Sequence, residues 1–179
     1  VEISRELLMA MKNGDKQAFK QVYELTVDNA YAVSYRILNN SEDSQEAVQD
    51  SYIKVFHKIN GFDMDKPFRP WFYRLVLNSA IDMYRKRRTY VERIKDFVND
   101  KLLTDDVSWE SDYASQSLGE KDLLDKKIKK LPLAEQKIIV LAGIEGMEYK
   151  EISQVLGLNV NTIKTKMRRI KQKLGGVYE

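Results

Sequence analysis

Asn159 to Lys173 holds six basic side chains and no acidic one, interleaved with amides and hydroxyls. The set Asn161, Thr162, Lys164, Thr165, Lys166, Arg168, Arg169 and Gln172 carries the groups needed to read a nucleic acid. A guanidinium offers a planar fork to a guanine edge, an amide both donates and accepts, and ammonium groups neutralise phosphates. None of these is a nucleophile paired with a base, so the chemistry is recognition of a polyanion, expected to be duplex DNA. A second constellation lies upstream, where Phe62, Trp71, Arg74 and Asn78 precede the run Arg85, Lys86, Arg87 and Arg88. Aromatic rings beside cations suit an unpaired strand: bases stack for roughly 1–3 kcal/mol each while the cations hold the backbone. Asn78 adds a donor and an acceptor for a base edge.

Each constellation has a plainer reading. A basic helix can simply pack by an apolar stripe, and aromatics at helical spacing usually fill a core. Cations also favour a helix C-terminus, although that accounts for only part of a run of four. Helical geometry separates the roles. Phe68, Phe72, Leu75, Val76, Ser79 and Met83 fall on one face and are assigned to the core, while Trp71, Arg74, Asn78 and Arg85 fall on another. Asp82, on the polar face, is expected to pair with a nearby arginine.

The elements that must position these residues are helical. Ile163, Met167, Ile170 and Leu174 recur at spacings of four, three and four, an inward stripe on the last helix. Glu148 to Leu174 reads as a short helix, a tight turn containing Gly157 and that second helix, a helix-turn-helix. Upstream, a helix around Ser4 to Met11 ends at Asn13-Gly14. Asp15 caps a long second helix whose buried stripe is Phe19, Val22, Tyr23, Thr26, Ala30 and Val33. Glu42 and Asp43 mark the start of a third helix reaching about Ile59, with Val48, Tyr52, Val55, Phe56 and Ile59 facing inward. Pro67 stands at the start of a fourth, expected to run to about Arg88. Helices around 121–130 and 133–144, separated by Pro132, precede the helix-turn-helix.

Between them periodicity fades, and residues 96 to 125 hold nine acidic side chains against Lys101 and Lys121. The expected fold is therefore all-α: two small helical domains, 1–92 and 120–179, joined by a flexible acidic linker over 93–119, with the helix-turn-helix in the C-terminal one. The net charge of +3 conceals two basic blocks separated by this acidic one.

Composition narrows the function classes. With no cysteine, the 179-residue chain offers no disulfide framework and no thiolate zinc site. No apolar run reaches bilayer length, so a soluble cytoplasmic protein without membrane insertion is expected. His57 is the single histidine. No phosphate-binding glycine loop or hydrolase nucleophile elbow occurs. Asp43, Glu46 and Asp50 share one helical face and make a divalent metal conceivable, but no fourth acidic ligand has a recognisable position. An enzyme is not expected, nor a cofactor.

In order and spacing these segments resemble the bacterial RNA polymerase sigma factors, specifically the extracytoplasmic-function group of the sigma-70 family. Val48-Gln49-Asp50-Ser51-Tyr52-Ile53-Lys54-Val55-Phe56 is similar to the family's Val-Gln-Glu-Thr-Phe-Leu-Lys-Val-Trp. Phe68-Arg69-Pro70-Trp71-Phe72-Tyr73-Arg74, with Asn78, Ala80, Ile81 and Asp82, resembles its Phe-x-x-Trp-Leu-x-Arg-Ile-Ala-x-Asn-x-Ala-Ile-Asp. Leu131-Pro132, Glu145-Gly146-Met147, Tyr149-Lys150-Glu151-Ile152 and Leu156-Gly157 match the approach to the last helix. Asn161-Thr162-Ile163-Lys164-Thr165-Lys166 is similar to Gly-Thr-Val-Lys-Ser-Arg.

The resemblance implies a factor that binds core RNA polymerase and directs promoter-specific initiation. Glu46, Gln49, Asp50, Ile53 and Lys54 would dock on the polymerase, and the Phe62 to Arg88 constellation would recognise and open the minus-10 element. The last helix would read the minus-35 element. Its partners would be core polymerase and promoter DNA, both duplex and single-stranded; the group is commonly held by an anti-sigma factor, which adds a candidate regulator. Asn161 stands where glycine is usual and Lys166 where arginine is common, so promoter sequence does not carry over. The competing reading is a stand-alone helix-turn-helix regulator, but the chain shows neither coiled-coil heptads nor a second copy of the motif with which to span symmetric half-sites.

Overall fold

The computed structural model describes residues 2–99 and 126–175, the stretch 91–99 as backbone. Every regular element among them is a helix.

Local chemistry sets the boundaries. Helix α1 (Arg5–Lys12) starts at Ser4, whose hydroxyl accepts the Leu7 N–H at 3.2 Å. Asp15 then accepts from Gln17 and Ala18 at 2.7 and 3.2 Å and opens α2 (Lys16–Leu38), satisfying donors that a first turn leaves unpaired. The chain leaves α2 through Asn39 in the left-handed region at φ 50°, a conformation asparagine tolerates. Asn40 caps α3 (Ser41–Lys58) by accepting the Asp43 N–H at 2.9 Å, and the acids Glu42 and Asp43 in its first turn oppose the helix dipole. A single 3-10 turn (Ile59–Gly61) and a loop lead into α4 (Phe68–Asn99).

Two boundaries differ from the sequence reading. Helix α4 begins after Pro67 and carries Pro70 in its first turn, where a missing N–H costs nothing. It also continues past Arg88 to Asn99, through what was expected as the opening of the linker. No glycine or proline interrupts 85–99, so nothing in the backbone stops the helix where periodicity fades. The remainder of the expected linker, 100–119, lies outside the described residues.

Helices α1 to α4 surround one core containing Val22, Ala30, Val33, Ala47, Val55, Phe72, Val76 and Leu77. Tyr52 and Thr26 share a buried hydroxyl pair at 2.6 Å, and burial raises the Tyr52 pKa, so the phenol stays neutral. The C-terminal group contains helical residues 126–129, α5 (Leu133–Gly143), α6 (Tyr149–Leu156) and α7 (Val160–Leu174). Its core is built from Ile138, Leu141, Ile152, Ile163, Ile170 and Leu174, which are almost completely buried. The two groups touch: α6 packs on α4 and α5 on α2.

Candidate nucleic-acid interface

The turn between α6 and α7 is held from both sides. Gly157 ends α6 at φ 66°, where a side chain would be strained, and Ser153 donates to the Leu158 carbonyl at 2.5 Å. Asn159 then caps α7 by accepting the Asn161 N–H at 2.8 Å. Ile163, Met167, Ile170 and Leu174 anchor one side of α7, as their spacing predicts. The opposite side exposes Asn161, Thr162, Lys164, Thr165, Arg168, Arg169 and Gln172, with Lys166 half-buried at its edge. Thr165 donates its hydroxyl proton back to the Asn161 carbonyl at 2.9 Å, leaving its oxygen as an acceptor.

The cations of α7 divide into two kinds. Lys173 is tied to Glu135 of α5 at 2.7 Å and belongs to the packing. Lys164, Lys166, Arg168, Arg169 and Lys171 meet no carboxylate among the described residues. A rigid helix with an uncompensated positive outer face lowers the free energy of a polyanion brought alongside it.

Helix α4 is different. Phe62 is 4% exposed and forms an aromatic cluster with Phe68 and Trp71, at ring distances of 5.8 and 4.9 Å. Lys12 fixes this corner by donating to the Phe62 carbonyl at 2.8 Å. Trp71 is half-buried against both phenylalanines, so the indole presents only part of itself outward. Arg74 and Asn78 are exposed, but the Arg74 guanidinium donates to the carbonyls of Gln154 and Val155 on α6. In the basic run, Arg87 pairs with Asp43 at 2.6 Å and Lys86 with Glu46 at 3.9 Å. Arg85 and Arg88 are exposed. Arg85 lies near Lys137, whose pKa is lowered by partial burial and then by that neighbouring charge. Asp82 pairs with Lys54 at 3.5 Å rather than with an arginine, because α3 brings that ammonium, also bonded to Ser79 at 2.9 Å, across the helix pair.

On α3, Glu46, Gln49, Asp50 and Ile53 are exposed, while Lys54 is engaged as just described. Tyr23 and Phe56 depart from the expected core, being 42% and 59% exposed. Both still touch across the α2–α3 contact, Tyr23 against Tyr52 at 4.7 Å, while leaving part of the ring in solvent. Phe56 meets Phe19 edge-on at 5.6 Å, and with Ile53 these rings make an apolar strip beside the acids. Periodicity alone assigns Phe19 and Phe56 to the core, because it does not say how wide the neighbouring helix is.

Arg69 and Glu145 carried no role in the sequence reading beyond their motifs, yet they join the two helical groups. The Arg69 guanidinium lies 3.7 Å from the Glu145 carboxylate and 3.5 Å from that of Glu151, and it also donates to the Glu145 carbonyl. Among the described residues no three histidine or acidic side chains converge as metal ligands, and Asp43 and Glu46 are engaged by cations of α4.

Residues 22–90 match the family model for Sigma-70 region 2, and residues 121–174 match that for Sigma-70, region 4. The chain is 31% identical over 180 residues to the RNA polymerase sigma factor NccH of Alcaligenes xylosoxydans xylosoxydans, covering 99% of this chain and 95% of that protein. It is 28% identical over 182 residues to the ECF RNA polymerase sigma factor SigW of Bacillus subtilis, covering 95% and 94%. Among solved structures its fold is similar to that of CnrH in complex with the cytosolic domain of CnrY. The TM-score is 0.70 at 24% identity, over 97% of this chain and 95% of that one. The sigma factor RpoE in complex with the anti-sigma factor NepR from Bartonella quintana gives a TM-score of 0.65 at 22% identity, over 87% and 93%.

Proposed function

Because this chain belongs to the extracytoplasmic-function group of the sigma-70 family of RNA polymerase sigma factors, we propose that its three surfaces divide the steps of promoter-specific initiation. A sigma factor directs transcription by the core enzyme and performs no covalent chemistry itself. The division assigns 1–92 to polymerase binding and the minus-10 element, 93–119 to the tether and 120–179 to the minus-35 element.

Helix α7 enters the major groove of the upstream element. Arg168, Arg169, Asn161 and Gln172 face base edges, and Lys164, Lys166, Thr162 and Thr165 hold phosphates or flanking edges. Helix α4 takes the downstream element as it opens, with Asn78 and Arg74 at an unpaired base and Trp71 as the ring beside it. Phe62 supports that ring from the core side, and Arg85 to Arg88 follow the strand. The acidic and apolar strip of α3, with Glu46, Gln49, Asp50 and Ile53, meets a basic, partly apolar surface of core polymerase. Lys54 orients that strip through Ser79 and Asp82. An anti-sigma factor is a further partner.

The observation that carries the reading is the contrast in α7: a deeply anchored apolar side, and an outer side whose cations have no carboxylate among the described residues. Transcription with purified core polymerase on a promoter library is the test. Initiation from a defined set of two-part promoters is expected. Tight operator binding without polymerase, coupled with no initiation in its presence, would instead identify a stand-alone regulator.

A further inference from the structure

Helix α1 has no part in the three proposed surfaces, yet two of its cations reach the loop that carries Phe62. Lys12, half-buried in the last turn of α1, donates to the Phe62 carbonyl at 2.8 Å. Arg5 donates to the Met64 carbonyl at 3.4 Å and lies 3.6 Å from the Asp65 carboxylate. A cation in a last turn also favours its own helix dipole, but the Lys12 ammonium is directed at a residue 50 positions away. Arg5 stands in the first turn, where the dipole disfavours a positive charge, so its place is set by the loop and not by the helix. Leu8 and Met11 bury another side of α1 in the core of the first group, which gives both cations a fixed base.

The loop has bonds of its own. The Phe62 N–H donates to the Ile59 carbonyl and the Lys66 N–H to the Asp63 carbonyl, both at 3.0 Å, and the Asp65 N–H donates to the Asp63 carboxylate at 3.1 Å. That last N–H, then Lys66 and to a smaller degree Lys12, hold the Asp63 carboxyl below the usual carboxylate range. With Lys12 on its carbonyl, Phe62 has both backbone polar groups engaged, and the direction of its ring is fixed with them. The ring leans on Trp71 at 4.9 Å, and Phe68 closes the cluster at 5.8 Å from Phe62 and 5.5 Å from Trp71. The line of contact therefore runs from Lys12 through Phe62 to the indole. The two fastenings differ in weight: the Lys12 bond is short, charge-assisted and half-buried, whereas the Arg5–Asp65 pair is exposed at both ends and gains little.

We infer that α1 presets the aromatic platform for promoter opening: Lys12, and to a smaller degree Arg5, are positioning residues that hold the 62–66 loop so that Phe62 keeps the Trp71 ring in place for an unpaired base. The inference rests on the assignment of α4 to the opened element. Neither cation touches DNA in this role. A ring already in place is cheaper to bind than one that must be ordered on contact, and a base stacks only on a ring that lies where the strand delivers it.

The test uses the full chain with core polymerase on a promoter that the holoenzyme uses. Lys12→Met keeps the aliphatic stem and removes the donor. Stopped-flow fluorescence should find opening slowed on the order of tenfold, with closed-complex formation and upstream duplex binding unchanged, and Lys12→Arg should recover most of the rate. Phe62→Leu should slow opening as well, and adding Lys12→Met to it should cost little more, because the two act through one contact. The salt dependence of holoenzyme binding should keep its slope in Lys12→Met, since no phosphate contact is lost. The chain has two tryptophans, so a Trp109→Phe background leaves Trp71 as the sole reporter, and its quenching by acrylamide should rise when Lys12 is replaced. Arg5→Ala, at an exposed position, should act in the same direction by roughly twofold.

Opening at the parent rate in Lys12→Met overturns the inference. A salt slope lowered by about one overturns it too, because Lys12 is then a phosphate contact. Losses that multiply in the Lys12→Met, Phe62→Leu pair do the same, since the two residues then act independently. If Lys12→Met does not fold, Arg5→Ala decides alone, and parent-like opening and quenching there overturn the inference. The assignment of α4 has a separate readout: if Phe62→Leu and Asn78→Ala both open at the parent rate, that assignment fails, whereas slowing in both with none in Lys12→Met removes only the role of α1.

Discussion

Helices α7 and α4 both carry clusters of cations, and they hold them in opposite states. On α7, Lys164, Lys166, Arg168, Arg169 and Lys171 have no carboxylate among the described residues. On α4, Arg87 and Lys86 pair with the α3 acids Asp43 and Glu46, and Arg74 is bonded to α6. A helix of the first kind is ready for a duplex as soon as it meets one. If α4 takes the opened element as proposed, its paired cations must exchange partners first.

The largest expected effect separates the two helices by stability. Phe72 is 1% exposed at the centre of the first group, and Phe72→Ala should lower stability in urea unfolding by about 3–5 kcal/mol. Binding of the upstream duplex should survive, since Ile163, Met167, Ile170 and Leu174 anchor α7 within the C-terminal group. Loss of both would mean that the second group depends on the first.

Replacing Arg168 or Arg169 by alanine should weaken upstream recognition by about 1–3 kcal/mol where the side chain meets a base. Gel-shift titration with holoenzyme reads this, and affinity for core polymerase should not change. The same loss on every duplex sequence would reassign that arginine to phosphate. Asn78→Ala acts later. Stopped-flow fluorescence should find opening slowed by about tenfold, roughly 1.4 kcal/mol in barrier, with closed-complex formation largely intact. Equal loss in both steps would remove Asn78 from the opened base. The smallest effect concerns the exposed pair Arg87–Asp43: Asp43→Asn should cost no more than about 1 kcal/mol of stability while freeing Arg87. Modestly tighter binding of unpaired DNA is the expected outcome, and weaker binding would contradict the exchange.

How much of this was legible in the sequence follows from the range of each interaction. The α7 face was readable because Ile163, Met167, Ile170 and Leu174 repeat within a few turns, and the cap at Asn159 and the turn at Gly157 are equally local. The all-helical architecture is borne out for the same reason. The end of α4 is not legible because amphipathicity fades before the helix does, and no glycine or proline from Arg88 to Asn99 breaks it. The exposure of Tyr23 and Phe56 is not legible either, because a stripe's period does not reveal its flank. Asp82 found Lys54 rather than an arginine because α3 supplies the partner. The contact between Arg69 and Glu145 joins residues 76 apart in sequence, and no periodicity announces it.

Site-specific photocrosslinking from positions 78 and 168 in a promoter complex tests the division of labour most directly. Position 168 should label the upstream duplex, and position 78 should label a single strand of the downstream element only when core polymerase is present. Both positions labelling one common duplex site in the absence of polymerase would contradict it.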